Sequence, residues 1–152
     1  MPRNDELLFL ETDGACAYCG HKDTRALTIH HMIQAVPKIE DYDNKIVLCH
    51  NCHQCHHQGK GPTAGELEDI KRRLIIKTLT PLGVNALKYA YRRTRVSAAP
   101  FLVNHLIEYG YLIEKEMMSD WSEDTSAPSV VITALYAITS EGRALLDKWG
   151  LK

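Results

Sequence analysis

LTIHHMIQAVPKIEDYDNKIVLCHNCHQCHH, residues 27–57, decides the fold of this chain. Residues 26–30 carry β-branched side chains in partial alternation and read as a strand. A loop containing Pro37 follows, residues 45–48 form a second short strand, and residues 51–58 suit a short helix. The order is strand, loop, strand, helix. Residues able to bind metal are spread over all of it: His30, His31, Cys49, Cys52, His53 and His57, with Cys16-x-x-Cys19 just upstream.

Cys16, Cys19, Cys49 and Cys52 fit a four-thiolate zinc site, because each tight Cys-x-x-Cys knuckle brings two thiolates to one side of a tetrahedron. The interval between the pairs is longer than in a compact zinc ribbon, as expected if a functional loop is inserted there. A segment of about 60 residues also needs a staple, since its own apolar core is marginal. Five cysteines are an odd number and four of them are paired in this way, which favours metal binding over disulfides. Cys55 reads as a small helix residue without a ligand role, although Cys52-x-x-Cys55 offers another zinc register.

Helical spacing sets His53 and His57 on one face, one turn apart, as two ligands of a single ion require. His30, at the end of the first strand, can supply a third. Three protein ligands leave positions for water and a substrate oxygen, which a catalytic metal needs. His31 points to the opposite side of the strand from His30. The two should therefore differ in role, one binding metal while the other accepts a proton from water. His21, His50 and His56 read as surface residues, with His56 able to replace His57 in another helix register.

The pattern Cys-x-x-Cys, then LTIHHMI, then DNKIVLCHNCHQCHH, over roughly residues 14–60, closely resembles the HNH (ββα-metal) endonucleases, including their zinc-stapled forms. The double histidine, the asparagine five residues before the third cysteine and Cys-His-x-x-x-His occur in the family's order. The resemblance implies that His31 is the general base activating water for in-line attack on phosphorus. It implies that His30, His53 and His57 hold one divalent metal, Mg²⁺ or another, and that Asn44 braces the loop to orient His31. Products with 5′-phosphate and 3′-hydroxyl ends are implied as well. Other family members carry an acidic residue where this chain has His30, and some lack one helix histidine.

The remainder of the chain has a different composition. Gly59-Lys60-Gly61-Pro62 ends any helix begun near Cys52 and predicts a boundary between domains 1–61 and 62–152. The first part holds all five cysteines and every histidine except His105. Beyond it the pattern reads helix, helix, helix, hairpin, helix. Thr63 and Glu66 form a capping box, and Thr80-Pro81 leads a helix to about Arg95. Ser97 is expected to open a third helix closed by Gly110, followed by strands at residues 111–117 and 130–139. Ser140 is expected to cap the last helix. Phe101, Leu102, Leu106, Trp149 and the tyrosines read as core.

VSAAPFLVNHLIEYGYLIEKE with ALYAITSEGRALLDKWG resembles the winged-helix domains of bacterial transcription regulators. The resemblance rests on Ser97, Pro100, the leucine-spaced helix, the Gly110 turn and Tyr136-x-x-Thr139-x-x-Gly142-Arg143. Such domains place a helix in the major groove and a wing on the backbone. Here six acids between Glu108 and Asp124 (Glu108, Glu114, Glu116, Asp120, Glu123 and Asp124) stand against Lys115 alone, so phosphates would repel that wing. Residues 70–107 contain no acid but do contain Lys71, Arg72, Arg73, Lys77, Lys88, Arg92, Arg93 and Arg95. That basic stretch is expected to meet DNA, the hairpin solvent or a protein partner, and the domain DNA or a second copy of the chain.

With 45% hydrophobic and 24% charged residues and a net charge of −1, the chain has a soluble globular composition. It has no apolar run of the roughly 18 residues that span a bilayer. MPRNDELLFLETDG has acids where a signal peptide has its apolar core, so a cytoplasmic protein is expected. The expectation is an α+β chain: a zinc-stapled ββα-metal domain followed by a mostly helical winged-helix domain. Its expected function is metal-dependent hydrolysis of DNA phosphodiester bonds. The alternative is a non-catalytic, zinc-containing DNA-binding regulator.

Overall fold

The computed structural model describes residues 4–119 and 131–152. Contacts divide the chain into two compact units, the first ending at Thr78 and the second running from Leu79 to Lys152. The parting lies beyond the Gly61 turn that the sequence pointed to, because the helix following that turn packs into the first unit.

The first unit opens with α1 (Asn4–Glu11). Strands β1 (Leu27–His31) and β2 (Lys45–Cys49) pair antiparallel, with Leu27 opposite Cys49 and His31 opposite Lys45. Helix α2 (His50–His57) follows β2 without a loop. Every residue of β2 is buried, which is why its sequence KIVLC lacks the alternation of a half-exposed strand. The Cys49 sulfur accepts the Cys52 N–H at 3.4 Å and so caps α2. Gly59, at φ 69°, takes the left-handed conformation that ends the helix.

Helix α3 (Ala64–Arg93) begins with the expected capping box: Thr63 N–H donates to Glu66 at 2.7 Å, and Glu66 N–H donates to the Thr63 hydroxyl at 3.2 Å. Its Leu67 joins Cys16, Ile46, Leu48, Cys49 and Cys52 in one buried cluster, with Ile70 and Leu74 against it. Lys71 reaches Glu11 on α1 at 2.6 Å with both side chains fully buried. The helical path breaks at Thr80 (φ 65°, ψ 155°) because Pro81 has no N–H and disfavours helical backbone at the residue before it. The Thr80 hydroxyl accepts the Gly83 N–H at 3.2 Å, capping the second stretch.

In the second unit, β3 (Arg95–Ala98), β4 (Leu112–Ser119) and β5 (Val131–Ile138) form an antiparallel sheet in the order β3-β5-β4. Helix α4 (Pro100–Glu108) and helix α5 (Ser140–Trp149) complete it. Leu87, Val103, Leu106, Tyr136, Leu146 and Trp149 are among its buried residues.

Three expectations need correction here. Ser97 does not open a helix: it lies in β3 opposite Leu135, and α4 starts at Pro100, whose fixed φ suits a first helical position. Thr139 rather than Ser140 caps α5, its hydroxyl accepting the Gly142 N–H at 3.1 Å. Phe101 and Leu102 are not core; Phe101 is 81% exposed, while Val103 and Leu106 of the same helix are fully buried. Of the acidic hairpin, Glu114 and Glu116 are exposed on β4, whereas Asp120, Glu123 and Asp124 lie outside the described residues. No helix among the described residues is long and apolar enough to cross a membrane.

Candidate metal centres

The first knuckle sits between α1 and β1. Cys16 N–H donates to the His21 carbonyl at 2.8 Å, and Gly20 N–H donates to the Cys16 carbonyl at 2.9 Å. Gly20 supplies the positive φ of 74° that turns the chain back. The second knuckle bridges the end of β2 and the first turn of α2. The β1–β2 pairing brings the two together, so that the Cys16, Cys19, Cys49 and Cys52 sulfurs all lie within 4.8 Å of one another.

Cys19 and Cys49 sulfurs are 3.7 Å apart. A disulfide needs about 2.05 Å, whereas a tetrahedral zinc with bonds of about 2.3 Å spaces its sulfurs by about 3.8 Å. The arrangement is that of a four-cysteine zinc site. Burial tends to raise the Cys16 thiol, but backbone N–H groups around the knuckle outweigh it and bring it down to about 7, favouring the thiolate that binds metal. Cys55 stands apart, half-buried, with its sulfur 3.8 Å from the Asn51 side chain.

The histidines form a second centre. His30 is 2% exposed, and its ring packs edge-on against His53 and His56 at 4.8 Å and His57 at 5.3 Å. One nitrogen each from His30, His53 and His57 lie within 4.8 Å of one another. Both His30 ring nitrogens are buried without a hydrogen-bond partner. Leaving an imidazole so would cost about 1–3 kcal/mol, unless an ion takes up a lone pair. Burial, followed by the neighbouring imidazoles, pushes His30 down to about 4 and keeps it neutral, the form that ligates. The residues therefore fit a divalent metal. His56 is outside this set; its Nδ1 lies 2.6 Å from the Pro62 carbonyl oxygen.

His31 leaves β1 on the other side and its Nε2 meets Glu40 Oε1 at 3.1 Å. Asn44 is almost wholly buried. Its amide donates to the carbonyls of Ile39 at 3.0 Å and Ile33 at 3.3 Å, and its Oδ1 accepts Ile33 N–H at 2.9 Å. Its own carbonyl accepts Met32 N–H at 2.8 Å. One side chain thus ties both ends of the loop that follows His31. Glu40 and Lys45 beside His31 escaped the sequence reading; Glu40, Asp41 and Asp43 share one acid-rich loop, and nothing in their spacing singles out the residue that turns toward the histidine.

The basic residues differ in their exposure. Lys71 is fully buried on Glu11 and lies 3.8 Å above the Tyr42 ring, so it is no DNA contact. Lys77 is engaged by Asp13 at 2.7 Å and by the Glu11 carbonyl at 3.2 Å. Arg72 and Arg73 are exposed in the first unit; Arg92, Arg93 and Arg95 are exposed and Lys88 is half-buried in the second.

Comparison with known families finds a match over residues 16–59 to the model described as HNH endonuclease. No curated protein and no solved structure matches the chain. The matched segment runs from the first thiolate knuckle through the histidine cluster to the glycine that ends α2, so it encloses both centres. It points to a nuclease-type or DNA-binding function. Residues 16–59 thus match the HNH endonuclease family model, and within them four cysteines are placed to bind a metal such as zinc.

Proposed function

We propose that the chain is a metal-dependent HNH endonuclease that hydrolyses DNA phosphodiester bonds. The observation that carries this reading is the split between the adjacent histidines. His30 is buried with two unpartnered nitrogens beside His53 and His57, while His31 is turned away and held by a carboxylate. A purely structural site has no use for the second arrangement.

In this reading His30, His53 and His57 hold one divalent ion, which when bound polarises the phosphate and stabilises the leaving 3′ oxygen. Three imidazoles suit a first-row transition ion such as Zn²⁺, Mn²⁺ or Ni²⁺ better than Mg²⁺, which prefers oxygen ligands. His31 takes the proton from the attacking water. Asn44 keeps the following loop, and hence His31, in place. The four cysteines hold a zinc ion that serves the fold alone, consistent with a reducing, cytoplasmic setting.

The second unit we read as a winged-helix-like module, supported by its helix-hairpin-helix order and its three-stranded sheet. Its exposed Arg92, Arg93 and Arg95 suit phosphate contacts, and exposed Glu114 and Glu116 suit solvent, a protein partner or a second copy of the chain.

Nicking of supercoiled plasmid by metal-stripped protein supplied with Mg²⁺, Mn²⁺, Zn²⁺ or EDTA tests the proposal. Cleavage that needs metal and vanishes in His31→Ala is expected. Absence of cleavage on duplex, single-stranded and branched DNA, with DNA binding retained, would leave a zinc-containing DNA-binding regulator instead.

A further inference from the structure

Behind His31 stands a line of side chains that the metal does not use. His31 Nε2 is 3.1 Å from Glu40 Oε1, and the other Glu40 oxygen is 3.4 Å from Lys45 Nζ. Lys45 in turn bonds Asp5 at 2.9 Å, and its side chain is only 5% exposed. Lys45 is also the cross-strand partner of His31, so the register of β1 and β2 places the ammonium beside the loop carboxylate. Its contact with His31, together with Lys45, holds the Glu40 carboxyl below the usual range, so it is ionised at neutral pH. An ionised carboxylate only accepts hydrogen bonds, so the hydrogen between the two groups must sit on Nε2.

We propose that Glu40 is the positioning residue of His31: anchored by Lys45, and through it by Asp5, its carboxylate accepts the Nε2–H, fixes the ring and leaves Nδ1 as the basic atom. This rests on the reading of His31 as general base. The water proton then goes to Nδ1 as the water oxygen bonds phosphorus and the bond to the 3′ oxygen breaks, its electron pair leaving on that oxygen, which takes a proton from solvent to become the 3′ hydroxyl. The Nε2–H stays on the ring throughout, and no proton passes to Glu40.

The test uses the full chain with ¹⁵N-labelled histidine, reading the His31 tautomer by long-range ¹H–¹⁵N correlation, alongside plasmid cleavage at saturating Mn²⁺. The wild type should show the Nε2–H tautomer. Glu40→Ala should lose that preference, and kcat should fall roughly 10- to 100-fold, part of the about 10²- to 10⁴-fold that a positioned base contributes. KM and Mn²⁺ affinity should stay within about twofold, because ligands and phosphate contacts are untouched. Glu40→Gln keeps an acceptor oxygen and should recover most of kcat, with Lys45→Met falling between. An unchanged tautomer in Glu40→Ala, or a kcat within about twofold of wild type, would overturn the proposal. If Glu40→Ala does not fold, Lys45→Met and Glu40→Gln carry the tautomer comparison. Full cleavage by His31→Ala would instead sink the base assignment, which the tautomer signal reports on separately.

Discussion

Replacing Lys71 by methionine should destabilise the first unit rather than weaken any contact with DNA. The ammonium lies 2.6 Å from Glu11 Oε1 with neither side chain exposed, and 3.8 Å over the Tyr42 ring. The Tyr42 hydroxyl donates to the other Glu11 oxygen. Methionine keeps the volume of the aliphatic stem but leaves Glu11 buried with its counter-charge gone. Breaking such a pair costs about 3–5 kcal/mol, against about 0.5 kcal/mol for an ordinary surface substitution. In a unit of this size each 1 kcal/mol moves the midpoint by about 4–8 °C, so the variant should melt more than about 12 °C below wild type. Removing the stranded charge as well, in Glu11→Gln/Lys71→Met, should restore most of the loss, since neutral groups need no counter-ion. Thermal and urea unfolding of zinc-saturated protein would measure this, with zinc release marking the first unit. A melting point within about 2 °C of wild type, or a DNA-binding salt slope lower by about 1, would refute the buried pair and return Lys71 to the surface.

Cys49→Ser, or chelation of zinc, should cost the first unit its cooperative transition, whereas His31→Ala should melt like wild type; equal losses in calorimetry would contradict the division between structural and reactive centres. His30→Leu should abolish transition-metal binding at the histidine site, yet leave the metal-stripped protein at least as stable, because it removes two unpartnered buried nitrogens. Titration calorimetry and melts of that variant check both halves, and a clear drop in metal-free stability would tell against the metal reading. Asn44→Ala should lower stability by about 1–3 kcal/mol, as it removes a buried side chain's hydrogen bonds to the partly buried backbone of Ile33 and Ile39; an unaltered denaturation midpoint would exclude Asn44 as the loop brace. Arg92→Ala and Arg93→Ala should each reduce the salt slope of DNA binding by about 1, and an unchanged slope would remove the second unit from the DNA interface.

The local parts of this molecule were readable because they depend on short-range rules. Thr63 with Glu66, Thr80 before Pro81 and Gly59 after α2 each act within one turn of helix, so residue type and spacing were enough. Ser97 misled because a hydroxyl before a proline-led helix looks like a cap. What claimed it was pairing with Leu135, a residue distant in the chain. The shift to Thr139 as the cap of α5 has the same origin, since that hydroxyl also donates to the Gly110 carbonyl at 2.6 Å.

By itself the sequence marked the two candidate ligand clusters that the fold brings together, because thiolate knuckles and a His-x-x-x-His turn carry their geometry in their spacing. The identity of the strand-strand-helix unit followed from the same stretch. Tertiary structure alone decided which charges are available. Lys71 reads like its arginine neighbours until α1 folds over it and supplies Glu11. Glu40 is one acid among several until the β1–β2 register sets Lys45 behind it and turns it to His31. Burial and pairing at long range are properties of the packed chain, and a charge takes its role from them.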